Sequence, residues 1–335
     1  MNQRLEKTQA IVNHILAHVS SPRRFPPGAE HTALKPLFVG ISGPQGIGKT
    51  TITNHLVSTL SGSPHNLRVL TFSMDDLYLP FKDQEAIQQK YPDNKLIEFR
   101  GLPGTHDVHL GTETFRALCQ ANKQALVDTK ESEPRQENQR PESPSITVPI
   151  PTYDKSRYAG RGDQLPREQW HLAQAPFDVV LFEGWSLGFK SVRDPKQLAK
   201  IYHEHSTFPP HFLSRYSFSS LEMVNRSLED YEREWYGFLD VFVHLSAPNL
   251  ATVFKWRAEQ EKDLWAKKGT GMTEEQVKEF VSRFMPAYEV YLERLKQENV
   301  FKEDIRSREA VAIAGRHMRL DLDENRDLVS TSLVE

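Results

Sequence analysis

The sequence predicts an α/β fold in which a mostly parallel central sheet is covered by helices on both faces, and three observations carry that expectation. Short apolar runs at 37–42, 68–73, 177–185 and 241–245 read as buried strands. Stretches of helical period separate them, the order that builds parallel sheets. The first run leads directly into Gly43-Pro44-Gln45-Gly46-Ile47-Gly48-Lys49-Thr50, which fits the phosphate-loop pattern G-x-x-x-x-G-K-[ST].

A chain of 335 residues can bury a large core and suits one elaborated domain at 36–325, preceded by a helix and proline-rich linker at 1–35 and followed by a tail at 326–335. A formal net charge of −3 argues against a general nucleic-acid binder, which needs a basic surface to release counterions. The single cysteine, Cys119, lies in a helical pattern as a core thiol and excludes an internal disulfide, which suits a reducing compartment. The N-terminus has no basic region followed by an apolar stretch, and no run approaches the length of a membrane span. The expectation is a soluble monomer of the cytoplasm or nucleus that acts on a small molecule and engages neither nucleic acid nor membrane.

In chain order, Leu5 to Val19 places Ile11, Val12, Ile15, Leu16 and Val19 at helical spacing, for packing on the domain that follows. Thr51 to Leu60 continues the phosphate loop as a helix, ended by Ser61-Gly62-Ser63-Pro64. The strand at 68–73 delivers Asp75 and Asp76 to its carboxyl edge, where ligands bind in open parallel sheets. Pro80 to Arg100 is polar and helical in pattern, 101–109 is a turn-rich loop, and a helix containing Cys119 follows. Residues 128–145 are almost devoid of apolar side chains and read as a solvated insertion. Ile146 to Ile150 is extended and leads to a charged loop, Pro151 to Asp163. The next strand ends in Glu183, and the segment 186–220 shows no clear period. A helix at 221–239, a strand at 241–245, a helix at 249–267 interrupted at Gly269-Thr270-Gly271, a further helix capped by Thr273 and a strand at 318–322 complete the domain.

A phosphate loop turns successive backbone N–H groups and a helix N-terminus toward one point, so Gly43 through Thr51 form the expected cradle for a triphosphate. Lys49 reaches the β/γ-phosphates in such a loop, and Thr50 holds Mg²⁺. The nucleotide class is decided at the other strand ends. The N-K-x-D guanine signature is missing, since Asn94-Lys95 is followed by Leu96-Ile97-Glu98. A strand ending in Glu183 before a glycine suits a small-molecule kinase better than a motor ATPase. A kinase needs a carboxylate near the acceptor hydroxyl, and Asp75 is placed for that; Asp is also a common turn cap, the competing account of the Asp75-Asp76 pair. Glu183 completes a magnesium site with Thr50 or, as the competing account, is salt-bridged at its strand end. Lys155, Arg161 and Arg257 are the cations available to offset the charge of the transferring phosphoryl group.

Several stretches together resemble the D-glycerate 3-kinase family, including its fungal ATP-binding members. They are the phosphate loop, Ser73-Met-Asp-Asp-Leu-Tyr-Leu79, Arg100-Gly-Leu-Pro-Gly-Thr-His-Asp107, Tyr153-Asp-Lys-Ser156 with Gly160-Arg-Gly-Asp163, Leu181-Phe-Glu-Gly-Trp-Ser-Leu-Gly-Phe189, and Gly271-Met-Thr-Glu-Glu-Gln-Val277 with Phe280-Val-Ser-Arg-Phe-Met-Pro-Ala-Tyr288. The family is similar in turn to uridine kinase, phosphoribulokinase and bacterial pantothenate kinase. The resemblance implies a P-loop kinase fold of three α/β/α layers with a helical lid, and transfer of the ATP γ-phosphate to a small hydroxyl compound, D-glycerate first. It implies Asp75 as acceptor base, Glu183 as the acidic strand end, Arg257 as a lid arginine, and acceptor contacts from Asp76, His106, Tyr153, Lys155 and Arg161. Leu77 departs from the phenylalanine expected after the Asp pair. Other acceptors, such as a nucleoside, pantothenate or a sugar phosphate, stay open, as does a regulatory protein that keeps the ATP site. The retained Asp75 and Glu183 favour a catalyst.

Overall fold

The computed structural model describes residues 3–19, 35–131, 146–207, 212–269, 271–302 and 314–335. The elements are α1 (Gln3–Val19), β1 (Leu37–Ser42), α2 (Lys49–Ser61), β2 (Val69–Ser73), α3 (Phe81–Lys90), α4 (Val108–Glu131), β3 (Thr147–Ile150), β4 (Tyr153–Asp154), the single turn α5 (Arg157–Gly160), β5 (Asp163–Gln164), β6 (His171–Gln174), β7 (Val179–Gly184), α6 (Pro195–Thr207), α7 (Phe218–Glu234), β8 (Val241–Ser246), α8 (Ala251–Lys268), α9 (Glu274–Ser282), α10 (Met285–Gln297), β9 (His317–Leu322) and β10 (Leu328–Leu333).

The central sheet has six strands in the order β10-β9-β8-β1-β7-β2. All neighbours pair in parallel except β10, which runs antiparallel to β9. The inner strands are mostly apolar because both faces are covered, and the two-residue period of a strand sorts the side chains. Val39 and Ile41 of β1, Leu181 of β7 and Val243 of β8 face α1 and α2, where they meet Ile11, Ile15, Ile52 and Leu56. Phe38, Phe182 and Phe242 point the other way, into a cluster with Phe115 of α4, Tyr231 of α7 and Tyr291 of α10. Each such burial contributes about 1.5–3 kcal/mol. Gly40 lies on the aromatic face, where a Cβ would stand 2.7 Å from the Phe242 ring.

The three-layer arrangement with a mostly parallel sheet agrees with the sequence expectation, and α8 and α9 form the expected helical pair after β8. Four local expectations differ. Helix does not continue from Pro80 to Arg100: α3 stops at Lys90, just before Tyr91-Pro92, because a residue preceding proline is pushed out of the α region. The segment 186–220 contains α6, whose one buried side chain, Leu198, leaves almost no apolar period to detect. Residues 128–131 belong to α4 rather than to a separate insertion, and the rest of that stretch lies outside the described residues. The supposed tail contributes β10, an edge strand of Ser, Thr, Val and Leu, which has one neighbour and mostly faces solvent. A small antiparallel sheet of β3 and β6 and a two-residue pairing of β4 with β5 stand apart from the main sheet. No helix among the described residues is long and apolar enough to cross a membrane.

Replacing Gly40 by valine is expected to lower stability by about 1–3 kcal/mol through overpacking against Phe242. Urea unfolding monitored by circular dichroism measures it, and an unchanged midpoint would show that the ring moves aside freely.

Candidate functional site

The phosphate loop leaves the end of β1, and Lys49 opens α2. Gly48 caps that helix in a left-handed conformation (φ +99°), and Gly46 is also left-handed (φ +80°). At Gly46 a Cβ would stand 2.5 Å from the Trp256 Cβ, so no other residue fits that turn. Ile47 is wholly buried in the core and anchors the loop, while Thr50 and Thr51 are exposed in the first turn of α2. Lys49 Nζ donates to the carbonyls of Gly43 at 2.7 Å and Pro44 at 3.3 Å. Two distant residues brace the same loop. Tyr288 of α10 accepts the Gln45 N–H at 3.3 Å and bonds the Gln45 side chain through its hydroxyl. Arg326, within the presumed tail, donates from Nε to the Gly46 carbonyl at 2.7 Å, pairs with Glu259 at 2.8 Å and lies over the Trp256 ring.

Beside the loop, β2 passes into a short 3₁₀ turn, Met74–Leu77, capped by Ser73. The Asp76 carboxylate accepts the Ser73 N–H at 3.2 Å and so closes the capping box. Burial raises its pKa to about 6, against the opposing Ser73 amide. Asp76 is thus engaged by its own turn. Asp75 is held at both oxygens: Lys155 Nζ stands 2.6 Å from Oδ2, and the Tyr78 hydroxyl donates to Oδ1 at 3.0 Å. Burial pushes the Asp75 pKa up, but the charge and hydrogen bond of Lys155, with Lys49 behind it, overturn this and hold it below the usual carboxylate range. Glu183 pairs in register with Ile41 of β1 and Ser73 of β2, so it emerges between the phosphate loop and the Asp75 turn. Its Oε1 lies 3.5 Å from Thr50 Oγ1. Burial raises the Glu183 pKa, with Lys49 opposing; the same burial lowers that of Lys49, with Glu183 and Asp75 opposing.

Lys155 arrives on the charged loop, which the short β4–β5 pairing closes. Arg100 ties this loop down, donating to the Gly160 carbonyl at 2.6 Å and the Lys155 carbonyl at 3.4 Å, with its guanidinium over the Tyr153 ring. Tyr158 and Ala159 both have positive φ (+50° and +54°), a local strain that the stack of Tyr158 on Phe81 at 3.9 Å helps to hold. The remaining expected site residues face inward. The Tyr153 hydroxyl accepts Gln84 Nε2 at 2.8 Å. Arg161 donates to Gln88 at 3.1 Å and lies over the rings of Phe81 and Phe99. Arg157, on the same loop, is within 3.5 Å of Asp154 and 3.9 Å of Asp163, so its charge is engaged within the loop. His106 is buried, 2.6 Å from the Tyr231 hydroxyl through Nδ1, and burial pulls its pKa down to about 3 despite Asp75. Arg257, on α8, is paired with buried Glu261 at 2.6 Å and lies over Phe280.

Lys49, Asp75, Lys155 and Glu183 therefore act on one another electrostatically at one sheet edge. Tyr78, Arg100, Tyr288 and Arg326 are supports that the sequence reading did not single out. Tyr78, Arg100 and Tyr288 lie inside the motif stretches quoted above, which was a signal available in the sequence; Arg326 had none. Leu77 is fully buried, so its departure from the family pattern concerns packing. Among the described residues no cluster of three His, Cys, Asp or Glu side chains could hold a metal by itself. Thr50 and Glu183 offer hard oxygen donors at the loop, which fits Mg²⁺, an ion that usually relies on one or two carboxylates plus phosphate oxygens.

No protein-family model matches the chain. It is 32% identical over 295 residues to the chloroplastic D-glycerate 3-kinase of Arabidopsis thaliana, covering 87% of this chain and 54% of that protein, so it spans about half the length of that relative. It is 30% identical over 310 residues to the "Probable ATP-dependent kinase TDA10" of Saccharomyces cerevisiae, covering 88% of each. The solved structure of D-glycerate 3-kinase from Cryptococcus neoformans superposes with a TM-score of 0.80 at 30% identity, over 98% of this chain and 99% of that one. Identity of 30% over 98% of this chain and 99% of the Cryptococcus structure, with the sequence relatives beside it, assigns the chain to the D-glycerate 3-kinase family.

Proposed function

We propose that the protein transfers the γ-phosphate of ATP to a hydroxyl of D-glycerate. The observation that carries this reading is the ion pair of Asp75 with Lys155 at 2.6 Å, beside the phosphate loop and within the electrostatic reach of Lys49. A nucleotide binder without catalysis has no use for a carboxylate kept ionised next to its triphosphate cradle.

In this reading the loop amides and Lys49 hold the β- and γ-phosphates, and Asp75 meets the acceptor hydroxyl. As the O–H bond breaks, its proton passes to Asp75; the new O–P bond forms in line with the breaking bond between the γ-phosphorus and the β–γ bridging oxygen, and ADP leaves. Thr50 and Glu183 would hold Mg²⁺, whose charge neutralises the phosphate oxygens when it is bound. Lys155 is half exposed while it touches Asp75, so the same ammonium has donors left for the acid group of the acceptor. Arg257 is one helical turn from Glu261 on the α8–α9 hairpin and supplies a lid cation when that pair opens.

Lys49→Ala is expected to abolish tight ATP binding, measured by calorimetry. Asp75→Asn should leave ATP affinity nearly unchanged and reduce turnover by about 10²–10⁴-fold; wild-type turnover in that variant would remove the base assignment. Lys155→Ala removes the cation that holds Asp75 ionised, so the acid limb of the rate profile should move to higher pH, and an unmoved limb would show that the pair does not govern the base. A coupled ADP-release assay against glycerate, pantothenate, nucleosides and sugar phosphates tests the acceptor, with selective stimulation by D-glycerate as the expected result. Stimulation by another member of the panel alone would replace glycerate as the substrate.

A further inference from the structure

We propose that Tyr78 is a positioning residue of the phosphoryl transfer, its hydroxyl fixing the plane of the Asp75 carboxylate where that group meets the acceptor. The proposal rests on the reading of Asp75 as the base. Lys155 holds Oδ2, but an ammonium is a rotatable point charge on a flexible stem, and this one is half exposed, so it attracts the carboxylate without setting its orientation. The Tyr78 O–H is directional, reaching Oδ1 at 3.0 Å from a side chain that is almost wholly buried.

The ring that carries this hydroxyl is itself fixed. It stacks on His106 with centroids 4.3 Å apart and meets the edge of Tyr153 at 5.6 Å. Its backbone forms a bridge with His106, and its carbonyl accepts Gln164 Nε2 at 2.9 Å. His106 is held in turn by Tyr231, whose oxygen accepts the Gly104 N–H at 3.2 Å and lies 2.6 Å from His106 Nδ1. Burial and the Asp75 charge keep the Tyr78 phenol protonated, so it stays a donor. A buried hydroxyl satisfied by any carbonyl would serve the fold alone. Here its partner is the carboxylate read as the acceptor base.

Tyr78→Phe keeps the ring and its stack and removes only the donor. In steady-state kinetics with saturating D-glycerate or whichever acceptor the panel identifies, kcat should fall by about tenfold or more with the KM for ATP unchanged. The acid limb of kcat/KM should move to higher pH, because the carboxylate loses a donor that favours its charged form. Lys155, Lys49, Glu183, Asp76 and His106 surround Asp75 and are unchanged in the variant, so the displacement reads the lost hydroxyl. Wild-type kcat with an unmoved acid limb would overturn the proposal, and so would a parallel loss of ATP affinity and thermal stability, which would assign Tyr78 to the fold. Asp75→Asn measured alongside separates the two readings. If that variant keeps wild-type turnover, the base assignment fails and the positioning role falls with it; if it is inactive while Tyr78→Phe is wild type, only the positioning role fails.

Discussion

The parallel pairing of β1 with β7 and of β7 with β2 is the constraint from which the site follows. Parallel strands present all their carboxyl ends at one edge, and the register sets Glu183 level with Ile41 and Ser73. The phosphate loop, the acidic strand end and the Asp75 turn therefore open side by side although more than a hundred residues separate the first from the second. Burial on both faces makes that register costly to change, because a slip of one residue would carry Phe38, Phe182 and Phe242 out of the aromatic layer and into the aliphatic one.

That edge gathers charge that would be expensive if unpaired. Asp75 and Glu183 are each pushed toward neutrality by burial, and Lys49 and Lys155 oppose this, Lys155 with a direct hydrogen bond to Asp75. The balance differs between the two carboxylates. Asp75, gripped by Lys155, is held below the ordinary range, whereas Glu183, with Thr50 at 3.5 Å, is raised. The first is held toward its charged form by its cation, and the second is pushed toward its neutral form by burial. Around this centre the structure spends several ionic and aromatic contacts on holding loops still. Arg100 clamps the loop that brings Lys155, and Arg326 and Tyr288 clamp the phosphate loop.

Legibility in the sequence followed how local each signal is. The strands and the phosphate loop were readable because continuous apolar runs and a glycine pattern need no partner to be recognised. Element α6 and strand β10 were not, since one has a single buried side chain and the other lies at an edge with little apolar content. Asp75, Lys155 and Glu183 were nominated from strand ends and motif stretches, and they do share one electrostatic cluster. Arg161 and Tyr153 were nominated on the same grounds, yet their polar groups meet Gln88 and Gln84. A charged loop announces its composition without saying which side chain turns inward.

By itself, the sequence determined the layered α/β class, the triphosphate cradle and the acidic residues at strand ends, because strand period, loop pattern and chain order are one-dimensional properties. Only the tertiary structure decided which cation holds Asp75, that Asp76 caps its own turn, that Arg257 is paired with Glu261, and that a presumed tail reaches back to the phosphate loop through Arg326. Those contacts join residues whose distances depend on how helices, hairpins and loops pack. Partner choice among many similar charges is settled by geometry, and geometry exists only once the chain has folded.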